Sequence, residues 1–350
     1  MQKKEFSIVG WGIAGATLAW QLYFSKKSFV VFDSNQNYSS KTAAGIVNPI
    51  VFKRLTKSWQ ADTLMPYAKD FYCKIEKALG ENIIEPKHIY KIFNSFEDEN
   101  NWMIKQNDER FEHYLQPIDT KFNINYIESN FGFGIVNTFG NLNTIKFLEL
   151  SKAFFKRLFG CFVDEKFNYD ELNIDKYTYD IFTFNNIIFC EGYDLLKNPF
   201  FNYLPLKPTH GETLIIKTDD FNFKHILNKN MFIMHIKDNL YKVGATYNWE
   251  LKQAICTTEG KTELLQKLKK FANFNFKVIS QQAGIRPTVK DRRPLIGSHP
   301  KHNNLHIFNG LGTKGVMIAP FYSNMLLKFI NNEKDLDNEI NITRYEKYLS

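Results

Sequence analysis

Paired cysteines are the first thing this sequence lacks. Cys73, Cys161, Cys190 and Cys256 lie far apart and form no Cys-x-x-Cys unit, which argues against a disulfide framework or structural zinc and favours a reducing, cytoplasmic setting. No apolar run approaches the ~20 residues needed to cross a bilayer. A strand-like run, "FSIVG", begins within a few residues of Met1, so no secretory leader is expected. His210, His235, His299, His302 and His306 show no metal-ligand spacing, and no Ser-His-Asp or Cys-His arrangement stands out, so no metal is expected. Repeats, low-complexity blocks and Pro/Ser linkers are missing too, which excludes solenoids and arrays of tethered modules.

What is present suits a globular protein. At 350 residues the chain has room for about two domains. With 44% hydrophobic and 16% aromatic residues it can bury a full core, so it is not a disordered chain. The net charge of +8 suits an anionic partner, but the basic residues are scattered rather than blocked.

The N-terminal stretch "EFSIVGWGIAGATLAWQLYFSKKSFVVFD" reads as strand, tight turn, helix, strand. Gly10, Gly12 and Gly15 form G-x-G-x-x-G, with Ile13 and Ala14 between them. Gly10 permits the turn, Gly12 lets backbone approach a pyrophosphate, and Gly15 allows close packing of helix on strand. The pyrophosphate then sits on the N–H groups at the helix start. Asp33 ends the second strand, 18 residues after Gly15, where its carboxylate can accept from both hydroxyls of an adenosine ribose and would repel a ribose phosphate. This unit does not choose between FAD and NAD.

Further along, 60–80 and 143–159 read as helices, the second capped by Asn143 or Thr144. Residues 83–140 read as mostly β with helical insertions, "IIFCEG" as a strand ending at Gly192, and 213–280 as sheet plus one helix. The last segment returns to strand, glycine turn and helix. The expected fold class is α/β: a Rossmann-like nucleotide domain of residues 1–80, 141–212 and 281–350, interleaved with a smaller antiparallel-sheet domain of 81–140 and 213–280.

Five motifs, "IVGWGIAGATLAWQL", "TAAGIVNP", "IIFCEG", "YKVGATY" and "AGIRPTVKDRRPLIG", the last continuing into "LHIFNGLGTKGVMIAP", occur in an order and spacing that resembles the D-amino-acid oxidase and glycine/sarcosine oxidase family of FAD-dependent amine oxidoreductases. The resemblance covers nearly the whole chain. It implies that Gly10, Gly12, Gly15 and Asp33 hold the ADP half of FAD, that Ala43, Ala44, Gly45 and Ile46 line the isoalloxazine edge, that backbone near Phe167 meets adenine, and that Gly192 sits beside the pyrophosphate. Some members attach flavin through a cysteine near the last motif. No cysteine follows Cys256, so FAD is expected to bind non-covalently.

The resemblance also implies chemistry. Flavin removes a hydride from the carbon beside an amine, and the imine then hydrolyses. Arg286 of "GIRP" grips the substrate carboxylate in the family, as a guanidinium fork does best; a structural ion pair with Asp291 is the plainer alternative. Lys242 stands where sarcosine-oxidase-like members carry a lysine that reaches flavin through water, although its strand could equally face solvent. Tyr247 and Phe232 are expected in the pocket wall, Phe232 replacing a tyrosine of related enzymes. Thr313 takes the place of a second substrate arginine, with Lys314 beside it. Gly310, Gly312 and Gly315 are expected to bring backbone N–H groups to the pyrimidine edge, and Pro320 is tolerable if it lies in the first turn of the helix that follows.

Two other functions follow from the same residues. One is removal of a carboxymethyl group from a modified wobble uridine in tRNA, an N-substituted glycine, with Lys53, Arg54, Lys57 and Trp59 of "FKRLTKSW" binding phosphates and stacking a base. The other is flavin binding without turnover.

Overall fold

The computed structural model describes residues 1–35, 39–117, 124–159 and 161–349. Two sheets organise them. In the first, strand Gln2–Val9 turns at Gly10 into helix Ile13–Phe24, and strand Phe29–Phe32 returns parallel to it. Gly10 has φ +102°, and a Cβ on Gly15 would fall 2.1 Å from the Gly10 carbonyl oxygen, so the turn and the close seat of helix on strand both require glycine. Phe29 to Phe32 are all buried, as expected where both faces of a parallel sheet are covered.

The order across this sheet is Phe162–Val163, Phe29–Phe32, Gln2–Val9, Phe182–Phe189, His302–Asn309 and Leu295–His299, with Thr178–Tyr179 paired to Phe182–Phe189 off that path. Neighbours run parallel as far as His302–Asn309, and Leu295–His299 folds back antiparallel.

Helix Ala61–Leu79 buries Leu64, Ala68, Phe71, Tyr72 and Ile75, a helical spacing, and ends at Gly80, whose φ is +70°. Helix Thr144–Phe159 is capped by Asn143, whose Oδ1 accepts from the Lys146 N–H at 3.1 Å. The last long helix, Gly315–Ile330, packs against Ile13–Phe24 and Ala61–Leu79. Pro320 is in its second turn, beyond the first turn where a proline is tolerated without cost. A proline there leaves the Val316 carbonyl without its helical donor. The Tyr72 hydroxyl donates to that carbonyl at 2.9 Å, and so satisfies what the proline forfeits.

The second sheet runs Lys277–Val289, Leu206–Lys217, Leu240–Gly244, Phe232–Lys237, Ile226–Asn228, Ile89–Ile92, Phe133–Val136 and Leu115–Gln116. All pairs are antiparallel except Ile226–Asn228 with Ile89–Ile92. Alternation assigns its faces. Leu214, Ile216, Ile233, Tyr241 and Val243 pack with Leu264 and Leu268 of helix Thr258–Lys269. The alternate positions, among them Thr213, Phe232, Gly244 and Arg286, face a cavity shared with the first sheet.

Candidate active site

The cavity measures about 790 Å³, near the upper end of the range for small-molecule and cofactor sites, roughly 300–1,000 Å³. Four stretches far apart in sequence meet in its wall. The N-terminal turn contributes Gly12, Ile13 and Ala14, and the segment after the second strand contributes Ala43, Ala44, Gly45 and Ile46. The second sheet brings Phe232, Tyr247 and Arg286, and the C-terminal turn brings Gly312, Thr313, Lys314 and Gly315, with Gly192 completing the wall. Gly10, Gly15, Asp33, Phe167, Lys242 and Gly310 are not part of it.

The geometry near the N-terminal turn fits a dinucleotide. A Cβ on Gly12 would meet only the Ser40 Oγ, at 3.1 Å, so backbone is open to the cavity there. Ser40 also accepts from the Ile13 N–H at 3.0 Å. Asp33 is buried at the end of its strand, its Oδ1 accepting from the Trp11 N–H at 3.0 Å and its Oδ2 from the Asn35 N–H at 3.1 Å. It therefore braces the glycine turn, and each oxygen keeps a lone pair for a further donor. The Phe167 ring is buried and stacked on Tyr179 with centroids 4.3 Å apart.

Arg286 is held by neutral groups. Its Nη1 donates to the His210 and Thr246 carbonyls at 3.2 and 3.3 Å, and its Nη2 to the Thr246 carbonyl at 3.3 Å. The guanidinium lies over the Tyr247 ring, 4.3 Å from the centroid, a cation–π contact. Tyr247 is nevertheless 57% exposed, so it forms the rim. Burial lowers the Arg286 pKa, partly offset by Tyr247. The ion pair with Asp291 is not made: Asp291 binds Arg344 and Tyr345 instead. Among the described residues Arg286 has no anionic partner.

Two lysines serve this region differently. Lys242, 5% exposed, stands on the sheet face of Gly244 but is not in the cavity wall; it donates to the Thr42 carbonyl at 2.6 Å. Thr42 Oγ1 in turn donates to the Ala283 carbonyl at 3.0 Å, which staples the small-residue segment to the strand of Arg286. Lys314 is in the wall, donating to the Asn48 carbonyl at 2.9 Å and to Ser58 Oγ. Burial lowers each lysine to a pKa of about 8.

The C-terminal turn differs from expectation in one respect. The Gly310 N–H donates to Asn309 Oδ1 at 2.7 Å and the Gly312 N–H to the Pro287 carbonyl at 3.1 Å, so neither is free for a cofactor edge. Gly315 and Val316, at the first two helical positions, carry the unsatisfied N–H groups instead. The sequence reading also missed Asn309. Its Nδ2 donates to the Gly192 carbonyl at 2.9 Å while its Oδ1 holds Gly310, so one buried amide joins two glycine loops of the same cavity. A polar residue before a glycine turn gave too little signal to find it.

Part of the basic cluster at 53–59 is also occupied, while Lys53 and Arg54 stay exposed. The Trp59 ring stacks on Tyr322 at 5.4 Å, carries the Arg293 guanidinium 4.5 Å from its centroid, and donates to Glu339 at 3.0 Å. Lys57 pairs with Asp62. Trp59 is thus part of the packing and has no face left for a base.

A mostly parallel sheet, an antiparallel companion and a cavity between their loops make up the site. Residues 5–327 match the family described as DAO, FAD dependent oxidoreductase, and the chain belongs to it. Glycine oxidase of Bacillus subtilis (strain 168) is 27% identical over 157 residues, 43% of this chain and 42% of that protein, so the match spans less than half of the relative. Solved structures share the fold: glycine oxidase from Geobacillus kaustophilus superposes with a TM-score of 0.81 at 16% identity, covering 99% of this chain and 98% of that one. L-proline dehydrogenase from P. horikoshii gives 0.77 at 16%, covering 99% and 98%. Iminodiacetate oxidase from Chelativorans sp. BNC1 gives 0.72 at 18%, covering 97% and 98%. Among the described residues no helix is long and apolar enough to cross a membrane.

Proposed function

We propose that this FAD-dependent oxidoreductase oxidises the C–N bond of an amino acid or N-substituted glycine, with FAD bound non-covalently. FAD, when bound, supplies the hydride acceptor; the hydride leaves the carbon beside the amine, and water hydrolyses the resulting imine to a carbonyl product and a shorter amine or ammonia.

The residues of the chain bind and orient. Arg286 takes the substrate carboxylate, and that carboxylate is the anion its neutral surroundings fail to supply. Tyr247 backs the guanidinium from the rim and Phe232 closes the apolar wall. Gly12, Ile13 and Ala14 take the diphosphate, Asp33 the ribose, and Ala43 to Ile46 the ring edge. The N–H groups of Gly315 and Val316, at a positive helix end, would stabilise negative charge on a bound flavin. Lys242 acts on that ring only through the Thr42–Ala43 backbone that it anchors.

One observation carries the reading: a half-buried guanidinium in the wall of the cavity that the N-terminal glycine turn also lines, without an anion among the described residues. The test is anaerobic bleaching of the purified yellow protein by glycine, sarcosine, proline and D-amino acids. Bleaching by one or more of them is expected. A flavin that stays oxidised with all carboxylated amines contradicts the proposal.

A further inference from the structure

Lys91 lies outside the machinery described so far. It stands on strand Ile89–Ile92 and is 8% exposed. Alternation puts its side chain on the same face as Ile89, which lines the cavity, although Lys91 itself is not in the wall. Its register partner Asn228 lines the cavity as well. Its Nζ is 5.8 Å from the centroid of Phe52, a third wall residue.

Among the described residues the Lys91 ammonium has neither a hydrogen-bond acceptor nor an ion pair, and the Asn228 side-chain amide has no partner either. A largely buried ammonium without a protein acceptor needs a ligand or water to supply one. Burial lowers the Lys91 pKa, Asp98 acts to raise it and Lys229 to lower it further. Asp98 forms no ion pair with Lys91; its Oδ2 accepts from the Asn94 N–H at 3.0 Å and the Asn94 amide at 2.9 Å. Lys229 is directed to the Glu128 carbonyl at 3.4 Å.

Position then limits what could bind. Arg286 and Lys91 occupy the first and sixth strands in the sheet order, which separates their backbones by about 24 Å at roughly 4.8 Å per strand. Even with both side chains reaching inward, a free amino acid cannot touch both. Ile89, Ile226, Phe52 and Phe232 give the cavity wall an apolar lining.

We propose that Lys91 and Asn228 form a distal subsite for an anionic group, a carboxylate or a phosphate, at the far end of an elongated carboxylated amine whose near end is held by Arg286. This rests on the amine-oxidising reading and names its substrate class: glycine-type amines with a long, apolar, anion-terminated substituent.

The test uses holoenzyme and inert long-chain alkanoates, which carry the near carboxylate but no amine to oxidise. Calorimetric binding is compared for chains ending in a second carboxylate, a phosphate or a hydroxyl, and for a short dicarboxylate, with wild type, Lys91→Met and Lys91→Gln. FAD content and thermal midpoint report on folding. Wild type is expected to bind a long dianion at least about tenfold tighter than the hydroxyl-ended chain, and both variants are expected to lose that advantage while binding the hydroxyl-ended chain unchanged. The better of the carboxylate and phosphate arms identifies the anion. Equal binding of all long chains, no binding of any, or an advantage that survives in both variants overturns the subsite. Failure of every amine to bleach flavin, with Lys91-dependent binding intact, would remove the amine substrate and leave the subsite standing.

Discussion

A Cβ built on Gly211 would stand 2.2 Å from Arg286 Nη2. The strand beside the guanidinium is therefore bare because the guanidinium fills the space above it. Gly211→Ala is expected to displace Arg286 and weaken carboxylate binding by roughly tenfold or more with FAD content unchanged. Titration of the flavin spectrum with a carboxylate inhibitor checks this.

Lys314 should make that affinity pH-dependent. Its pKa is near 8 instead of the ordinary 10.5, so the ammonium is charged below pH 8 and neutral above it. An anion in the cavity prefers the charged form, so affinity should fall as pH rises past about 8, while Arg286 stays protonated. Lys314→Met should flatten the profile across that range, and Lys242→Met should keep it, because Lys242 is not in the wall. Inhibitor titrations from pH 6.5 to 9.5 decide.

Tyr72→Phe should remove the only side-chain donor to the Val316 carbonyl among the described residues without changing packing. Leaving that buried acceptor unsatisfied is expected to cost about 1–3 kcal/mol, a drop on the order of 2–4 °C per kcal/mol in the thermal midpoint. Calorimetry reads it directly.

Asn309→Asp keeps an acceptor for the Gly310 N–H but sets a carboxylate against the Gly192 carbonyl. FAD should dissociate about tenfold faster or more, a loss of at least roughly 1.4 kcal/mol, measured by recovery of flavin fluorescence on dilution. Asn309→Ala should fall between wild type and Asp.

Much of this architecture was legible in the sequence because its signals are local. Gly10, Gly12, Gly15 and Asp33 sit within one strand–turn–helix–strand unit, where spacing alone fixes the geometry. The N-terminus of the helix after Gly315 was also readable. What escaped depends on contacts between distant segments. Trp59 looked available for stacking because nothing near it shows that Tyr322 and Arg293 cover its ring. The N–H groups of Gly310 and Gly312 looked free because their acceptors are Asn309 Oδ1 and the carbonyl of Pro287. Lys242 and Lys91 sit in strands whose alternation permits a solvent face, and only the second sheet's packing buries them. Pro320 seemed confined to a first turn, since its rescue by Tyr72 spans some 240 residues.

The most direct test is the reductive half-reaction of the Arg286→Ala holoenzyme, measured anaerobically with an amine that bleaches the wild type and with the same amine lacking its carboxylate. The carboxylated amine should bind the variant about 2–4 kcal/mol more weakly, roughly 30- to 700-fold, and the decarboxylated amine should react equally with both proteins. A variant that retains wild-type affinity for the carboxylated amine would contradict the assignment of Arg286, and with it the proposed substrate class.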